Sequence, residues 1–226
     1  MKSSRLMQAI AAAAMLGLLA GCGNDPSANE GVKLLRGAIQ GNNARKEGAP
    51  ALTQDQLAGA LQQTGASIAV MTIEDSKTQT LLAQIETNGA YRTYANSSRQ
   101  SATLRNGIIT ATRGLGGDVM SSETDSLVRH IASRLDGTVP YTLRFLDGEE
   151  AITEMTYVCT VTRGEMTAVA FGEISANGRV MRMTCSGTDL PRLDNFFVVE
   201  GDGTVVASHQ WVGEVTGYVT LQHARR

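Results

Sequence analysis

Six Asn-Gly and Asp-Gly pairs constrain the fold of this 226-residue chain more than any other feature of its sequence. The Asn-Gly pairs are at 88–89, 106–107 and 177–178, and the Asp-Gly pairs are at 136–137, 147–148 and 202–203. A tight type I′ hairpin turn needs a positive φ at both central residues, which these residue types tolerate. Each pair therefore predicts a reversal between two antiparallel strands.

The segments between these turns are short, apolar and rich in β-branched residues, as strands are. We assign about ten strands, which are "ASIAVMTI", "AYRTYA", "IITATR", "YTLRFL", "AITEMTYVCTVT", "MTAVAFGEI", "RVMRMTCS", "NFFVVE", "TVVASHQWV" and "TGYVTLQ". Long helices do not alternate with them, which disfavours a parallel, doubly wound sheet. The sequence predicts a mainly β fold, in which an antiparallel meander forms a sandwich or a curved half-barrel with a few short helices.

Three segments have helical features. Apolar residues recur at helical spacing over 32–39, and Thr53 with Gln56 forms a capping-box pattern at the start of a second helix. The segment "SETDSLVRHIASRLDG" has an apolar residue at every fourth position behind Ser122, which we take as the cap of a third helix.

The first 22 residues have the pattern of a bacterial lipoprotein signal. Lys2 and Arg5 form a positive start, and the apolar stretch that follows is too short to span a bilayer. It ends in Leu-Ala-Gly-Cys, a lipobox, in which cleavage precedes a lipidated cysteine. The sequence predicts a signal peptide over 1–21 and lipidation of Cys22, with an ordinary secretory peptide as the alternative. Gly23 follows the cysteine, so we expect the outer membrane.

The rest of the chain is predicted to be a tether and one domain. Residues 22–30 are small and polar, as in a flexible tether, and 31–226 form a single β-rich domain. Without Lys2 and Arg5 the count falls from 20 basic residues to 18 against 22 acidic residues, a net charge of −4. Because no basic cluster is present that could neutralise a row of phosphates, we expect no nucleic-acid partner.

The stretch "NGIITATRGLGGDV" at 106–119 looks at first like a phosphate-binding glycine loop. Such a loop needs its glycines at set spacings, and the third glycine of a GxGxxG pattern would fall on Val119. No Gly-Lys pair occurs in the chain either. The stretch is therefore predicted to be a hairpin, a strand and a bend, and no cofactor is expected.

Residues with catalytic or metal-binding chemistry form no recognisable set. The three histidines belong to no HExxH pattern and no CxxC pair is present, so no metal site is predicted. Ser208 and His209 are adjacent, and adjacent side chains on a strand point to opposite faces. Asp147, Glu149 and Glu150 follow a glycine turn, where acidic residues usually face water. We predict no catalytic residues.

Two cysteines are left in the exported domain, and the oxidising compartment favours a disulfide between Cys159 and Cys185. If "MTAVAFGEI" were a separate strand between theirs, the cysteines would lie about 10 Å apart, beyond the reach of a bridge. Two free, buried cysteines are the alternative.

With its lipobox and the segments "LRNGIITATRGLGGDV", "YVC", "TCSG" and "LDNFFVVEGDGTVVASHQWVGEVTGYV", the chain resembles the YjbF/GfcB family of outer-membrane lipoproteins over most of residues 22–222. The motif residues that carry the resemblance are Gly107, Thr112, Gly114, Leu115, Asn195, Gly203, Ser208, Gln210 and Trp211. The chain departs from the family at Phe197, where a Tyr-Trp pair is common.

The resemblance implies a lipid-anchored, periplasm-facing accessory lipoprotein that supports exopolysaccharide or capsule production and secretion without catalysis. Its implied partners are the outer membrane, envelope proteins of a polysaccharide secretion system, and the glycan. Two alternatives stay open. A polysaccharide-modifying hydrolase would need two carboxylates that converge in a cleft, and a lipid or lipoprotein carrier would need an unfilled apolar interior.

Overall fold

A computed structural model of the chain describes residues 51–146 and 151–226. These residues form two short helices, α1 (Gln54–Gln63) and α2 (Asp125–Ser133), and twelve strands. The strands are β1 (Ile68–Ile73), β2 (Thr78–Asn88), β3 (Tyr91–Ala95), β4 (Ser101–Arg105), β5 (Ile108–Arg113), β6 (Val119–Glu123), β7 (Gly137–Leu146), β8 (Ile152–Phe171), β9 (Ile174–Ser186), β10 (Leu193–Val199), β11 (Val205–Trp211) and β12 (Tyr218–Arg225). The predicted mainly β fold is confirmed.

Several predictions concern residues that the structure does not describe. They are the signal peptide over 1–21, the lipidated Cys22, the tether over 22–30, the helix over 32–39, and the carboxylates Asp147, Glu149 and Glu150. These stay predictions.

All twelve strands belong to one antiparallel sheet, in the order β5-β4-β3-β2-β1-β12-β11-β10-β9-β8-β7-β6. Every pairing joins strands that are consecutive in the chain, except that of β1 with β12. Two meanders, β1–β5 and β6–β12, therefore meet at that seam. The sheet curls until its edge strands β5 and β6 are in contact, which makes it nearly closed and barrel-like. Of the two predicted forms, the curved one is the one that occurs.

The interior of the curled sheet is filled by large apolar side chains from nearly every strand. Met71, Leu82, Tyr141, Phe197 and Leu221 are among them, and each is at most 2% exposed. Burial of this kind contributes roughly 0.8 kcal/mol for each methylene removed from water.

A second layer covers part of the outer face of the sheet. Strand β8 is 20 residues long and has a register shift between Arg163 and Met166, and such an irregularity lets a strand bend. The hairpin tip beyond it packs on the outer face, where the Glu173 amide donates to the Ala224 carbonyl (2.8 Å). Helix α1 covers a neighbouring part through Leu57, which packs with residues of β1 and β12.

The predicted disulfide between Cys159 and Cys185 is present and joins directly opposite residues of β8 and β9, with Cα atoms 4.0 Å apart. The geometric objection rested on a separate strand over "MTAVAFGEI", and that interpretation is wrong. Strand β8 runs without a break into this segment, and the chain reverses only at Gly172, whose φ is +58°.

The turn predictions succeed where the turn is local and fail where packing intervenes. Asn106 and Gly107 both have positive φ, +48° and +74°, as a type I′ turn requires. Asn177–Gly178 makes no turn, because it lies inside β9, where Gly178 packs closely against the next strand. Likewise Gly137 begins β7 directly after a helix rather than closing a hairpin. Strands β2, β4 and β6 were missing from the predicted ten.

The capping-box prediction is confirmed for α1. The Gln56 amide donates to Thr53 Oγ1 (3.1 Å), and the Thr53 amide donates to Gln56 Oε1 (2.9 Å). The predicted cap of α2 is wrong, because Ser122 lies in β6 and Thr124 is the N-cap. Leu135 is the last residue of that periodic pattern, and it lies beyond the helix end and is exposed.

Candidate functional site

Three motif residues, Gly107, Ser208 and Gln210, form hydrogen bonds with one another and with Ile109 at the edge strand β5. The Ile109 amide donates to Gln210 Oε1 (3.0 Å), and Gln210 Nε2 donates to the Gly107 carbonyl (2.8 Å) and to Ser208 Oγ (2.8 Å). The Gln210 side chain thus replaces a neighbouring strand as the partner of buried backbone groups. We call Gly107, Ile109, Ser208 and Gln210 the closure network.

The β4–β5 turn fits tightly against the start of β11. A Cβ added at Gly107 would lie 2.6 Å from Val205 Cβ. Beside it, Asn106 Nδ2 donates to the Gly203 carbonyl (2.9 Å), which binds this turn to the β10–β11 turn. Only glycine combines the positive φ with this close approach.

The glycine-rich bend that follows β5 binds an anion, and that anion is the protein's own carboxylate. Asp118 accepts hydrogen bonds from the Gly114 amide (2.7 Å), the Leu115 amide (3.1 Å) and the Thr112 hydroxyl (3.1 Å). The amides that could receive a phosphate are therefore occupied. The stretch folds as a strand and a bend, as the sequence predicts.

Asn195 and Trp211 meet where the β10–β11 ladder ends. The Trp211 amide donates to Asn195 Oδ1 (2.9 Å), beyond the last paired residues of the two strands. The Trp211 ring packs edge-on against Phe145, with centroids 6.1 Å apart. The motif residues thus make their contacts within the protein, and the side chains of Asn195 and Gln210 serve as partners of backbone groups.

Ser208 and His209 contact different parts of the protein. Ser208 Oγ donates to the Gly107 carbonyl (3.4 Å). His209 stacks on Tyr218, with centroids 4.7 Å apart, and its Nδ1 lies 3.2 Å from Thr220 Oγ1. Burial lowers the pKa of His209 to about 4. The described geometry does not bring the two together as a nucleophile and its base.

A cavity of about 200 Å³ opens at the end of the interior beside the β4–β5 turn. We call its lining the polar mouth, which consists of Ser67, Gln84, Arg92, Tyr94, Leu104, Asn106, Gly107, Thr204, Val205, His223 and Arg226. Sequence reasoning assigned no role to most of these residues. They come from six separate segments of the chain, at 67, 84, 92–94, 104–107, 204–205 and 223–226, and no local spacing connects them.

His223 is the most unusual residue of the polar mouth. It is 8% exposed, lies edge-on to the Tyr94 ring at 5.6 Å, and its Nδ1 has no hydrogen-bond partner among the described residues. Burial lowers the pKa of His223 to about 4, so the ring is neutral at neutral pH. A buried polar atom without a partner is costly to the folded state and calls for an explanation.

The hydrogen bonds around Tyr94 leave an acceptor available. Ser67 Oγ donates its one proton to the Arg225 carbonyl (2.8 Å). The Tyr94 hydroxyl, 2.9 Å from Ser67 Oγ, must then be the donor of that pair. Lone pairs on the Tyr94 oxygen remain free to accept a hydrogen bond.

The charged side chains of the polar mouth are the arginines Arg92 and Arg226. Arg92 Nη1 donates to the carbonyls of Gly89 (2.8 Å) and Tyr91 (3.1 Å), and among the described residues no carboxylate pairs with this guanidinium. Arg226 does form an ion pair, with Glu200. The lining contains no Asp or Glu. The polar mouth therefore offers one uncompensated cation together with neutral donors and acceptors.

Neither a metal site nor a membrane-spanning helix is found within residues 51–146 and 151–226. No group of histidine, cysteine and acidic side chains is arranged to hold a metal ion. Over the same residues, no helix has the length and apolar character to cross a membrane.

The curled sheet is a fold already seen in a bacterial lipoprotein. The crystal structure of the hypothetical lipoprotein YmcC from Escherichia coli (K12) matches with a TM-score of 0.65, over 86% of this chain and 95% of that chain, at 12% sequence identity. A family model described as "Group 4 capsule polysaccharide lipoprotein gfcB, YjbF" matches residues 34–223. The chain belongs to this family of capsule polysaccharide lipoproteins, which confirms the resemblance drawn from its motifs. No curated protein matches the sequence.

Proposed function

We propose that the protein is anchored by lipid at Cys22 in the outer membrane, faces the periplasm, and supports the production or secretion of a capsule or exopolysaccharide without cleaving it. The observation that carries the proposal is the family match over residues 34–223, whose description names a capsule polysaccharide lipoprotein. The lipobox at the start of the chain supports the anchor.

The packing of the sheet favours an accessory module over a carrier. A lipid carrier needs an open apolar interior, whereas the interior here is occupied by side chains such as Met71, Tyr141 and Phe197. The closure network and the disulfide also favour a rigid scaffold, which suits a protein that binds partners on a fixed surface.

Deletion of the gene tests the pathway. Secreted polysaccharide should fall, and the wild-type gene should restore it. A purified preparation of the protein should release no reducing ends from the isolated polysaccharide. Normal output after deletion would contradict the proposal.

The three carboxylates near the β7–β8 connection test the hydrolase alternative. Replacing them together, by Asp147→Asn, Glu149→Gln and Glu150→Gln, should leave polysaccharide output near normal. Loss of output with intact folding, together with glycan cleavage by the wild type, would favour the hydrolase instead.

Cys22→Ser tests the anchor, because the thiol is the acceptor of the lipid in a lipobox. The variant should incorporate no labelled fatty acid and should leave the outer-membrane fraction. Retained label and unchanged fractionation would reject the lipobox.

A further inference from the structure

We infer that the polar mouth binds a single carboxylate-bearing sugar unit. The assignment to a glycan rests on the proposed function, whereas the anion-binding geometry stands on the side chains themselves. Three features of the polar mouth carry the inference, and they are its charge, its hydrogen-bonding groups and its size.

The charge of the polar mouth suits one negative charge. Among the described residues, the Arg92 guanidinium has backbone carbonyls as its partners and no carboxylate, and only its Nη1 takes part in those bonds. Its Nε and Nη2 can donate two parallel hydrogen bonds to a carboxylate. Since Arg226 is already paired with Glu200, a monoanion would be balanced, whereas a dianionic phosphate would not.

The neutral groups suit a ligand that also has hydroxyls. The Tyr94 oxygen has lone pairs to accept with, and the Gln84 side chain, which also lines the cavity, has an amide that can both donate and accept. A bare inorganic anion has little use for acceptors, whereas each sugar hydroxyl both donates and accepts.

The size of the cavity limits the ligand to one sugar unit. About 200 Å³ is the volume of roughly seven water molecules in the liquid, which is the scale of a single ring. Because most drug-sized ligand pockets are larger, we expect weak, single-unit binding at the end or branch of a chain rather than a grip on several units.

The test compares methyl glucuronide with methyl glucoside, which has the same ring without the carboxylate, and with inorganic phosphate. The full-length lipidated protein is used in a detergent that has no sugar headgroup, and binding is measured by saturation-transfer NMR and calorimetry. We expect the glucuronide to bind at least about tenfold more tightly than the glucoside, with phosphate weaker than both.

Arg92→Gln should abolish the preference for the glucuronide, and Tyr94→Phe should weaken both sugars while it keeps the ring. Arg129→Gln is the matched control, because Arg129 is exposed on α2 and bonds only to Ser126 among the described residues. A thermal melt of each variant establishes that it is folded.

Three results would overturn the inference. They are no binding of the glucuronide, a preference that survives Arg92→Gln, and phosphate that binds as tightly as the glucuronide and displaces it. The deletion experiment separates this inference from the proposed function. Polysaccharide loss without glucuronide binding would reject the inference alone, and glucuronide binding with normal polysaccharide output would reject the function alone.

Discussion

The closure network and the polar mouth share Gly107 but satisfy their polar groups in opposite ways. In the closure network each polar group of the Gln210 side chain has a partner within the protein, and the Ile109 amide and Gly107 carbonyl are paired through it. In the polar mouth His223 Nδ1 has no partner among the described residues, and Arg92 lacks a carboxylate there. The difference indicates that motif residues can hold a fold together while the groups available to a ligand lie beside them.

The free energy of unfolding of variants is the first test of the difference between the two regions. Substitutions in the closure network should destabilise the folded protein. Substitutions of polar side chains in the polar mouth should change its stability little or should increase it. Binding sites commonly carry groups that are poor for stability, because they are arranged for a partner.

Gly107→Ala should have the largest effect. The new Cβ would meet Val205 at 2.6 Å, and the positive φ would be strained as well. Together these should lower the free energy of unfolding by about 3 kcal/mol, measured by chemical denaturation. Gly89→Ala is the control, since Gly89 also has a positive φ but has nothing within 4 Å of the new Cβ. It should lose only about 1 kcal/mol, and an equal loss at both sites would show that the close approach does not matter.

Gln210→Leu should follow, with a loss of about 2 kcal/mol, because the Ile109 amide would be left buried without a partner and the Gly107 carbonyl would keep only the longer bond from Ser208 Oγ. Gln84→Leu is the matched change in the polar mouth. Its Nε2 bonds only to Thr87 at an exposed position, so we expect almost no change in the free energy of unfolding. If both variants lost the same amount, the distinction between the two regions would fail.

His223→Phe should change the pH dependence of stability. The folded-state pKa of about 4 lies below the ordinary value of 6.5, so the unfolded chain binds more protons between these values. The wild type should therefore lose stability as the pH falls through this range, by on the order of 2 kcal/mol near pH 5 from this group alone. The phenylalanine variant should lack that loss, and at neutral pH it should be as stable as the wild type. Denaturation curves at neutral pH and near pH 5 measure this difference. If the variant kept the full pH dependence, His223 would not be the buried, neutral group that causes it.

Asp118→Asn should have the smallest effect, about 1 kcal/mol. The asparagine amide nitrogen only donates hydrogen bonds, so whichever carboxylate oxygen it replaces, at least one of the bonds from the Gly114 and Leu115 amides is lost. Asp189→Asn, at an exposed position with positive φ, is the control and should be neutral. Equal melting temperatures for the two variants would mean that the bend does not depend on its carboxylate.

Local signals made much of this fold predictable. Thr53 with Gln56, and Asn106 with Gly107, each specify their structure within four residues, and both predictions are confirmed. Asn177–Gly178 carries the same signal as the latter pair but is held straight by packing against β10, which no local pattern reveals. Similarly, the sequence prediction divides β8 in two at residues 163–165, although the strand continues through the register shift that lies there.

The candidate sites were predictable to different degrees. Ser208 and Gln210 were found because they stand close together in a motif, although their role as partners of β5 was not foreseen. The polar mouth was missed, because Ser67, Arg92 and His223 become neighbours only when the first and last strands pair. Among these, only the histidine was noted at all, and sequence alone gave no reason to expect its burial.

The pairing of β1 with β12 sets an order of events during synthesis. The first meander is complete when β5 has emerged, yet one edge of β1 has no partner until the last strand of the chain arrives. All other pairings are between consecutive strands and can form as the chain appears. A chain that stops before Tyr218 would thus leave an open strand edge in the middle of the sheet, where other chains can add. Premature termination should produce a protein that aggregates, even though almost the whole sequence is present.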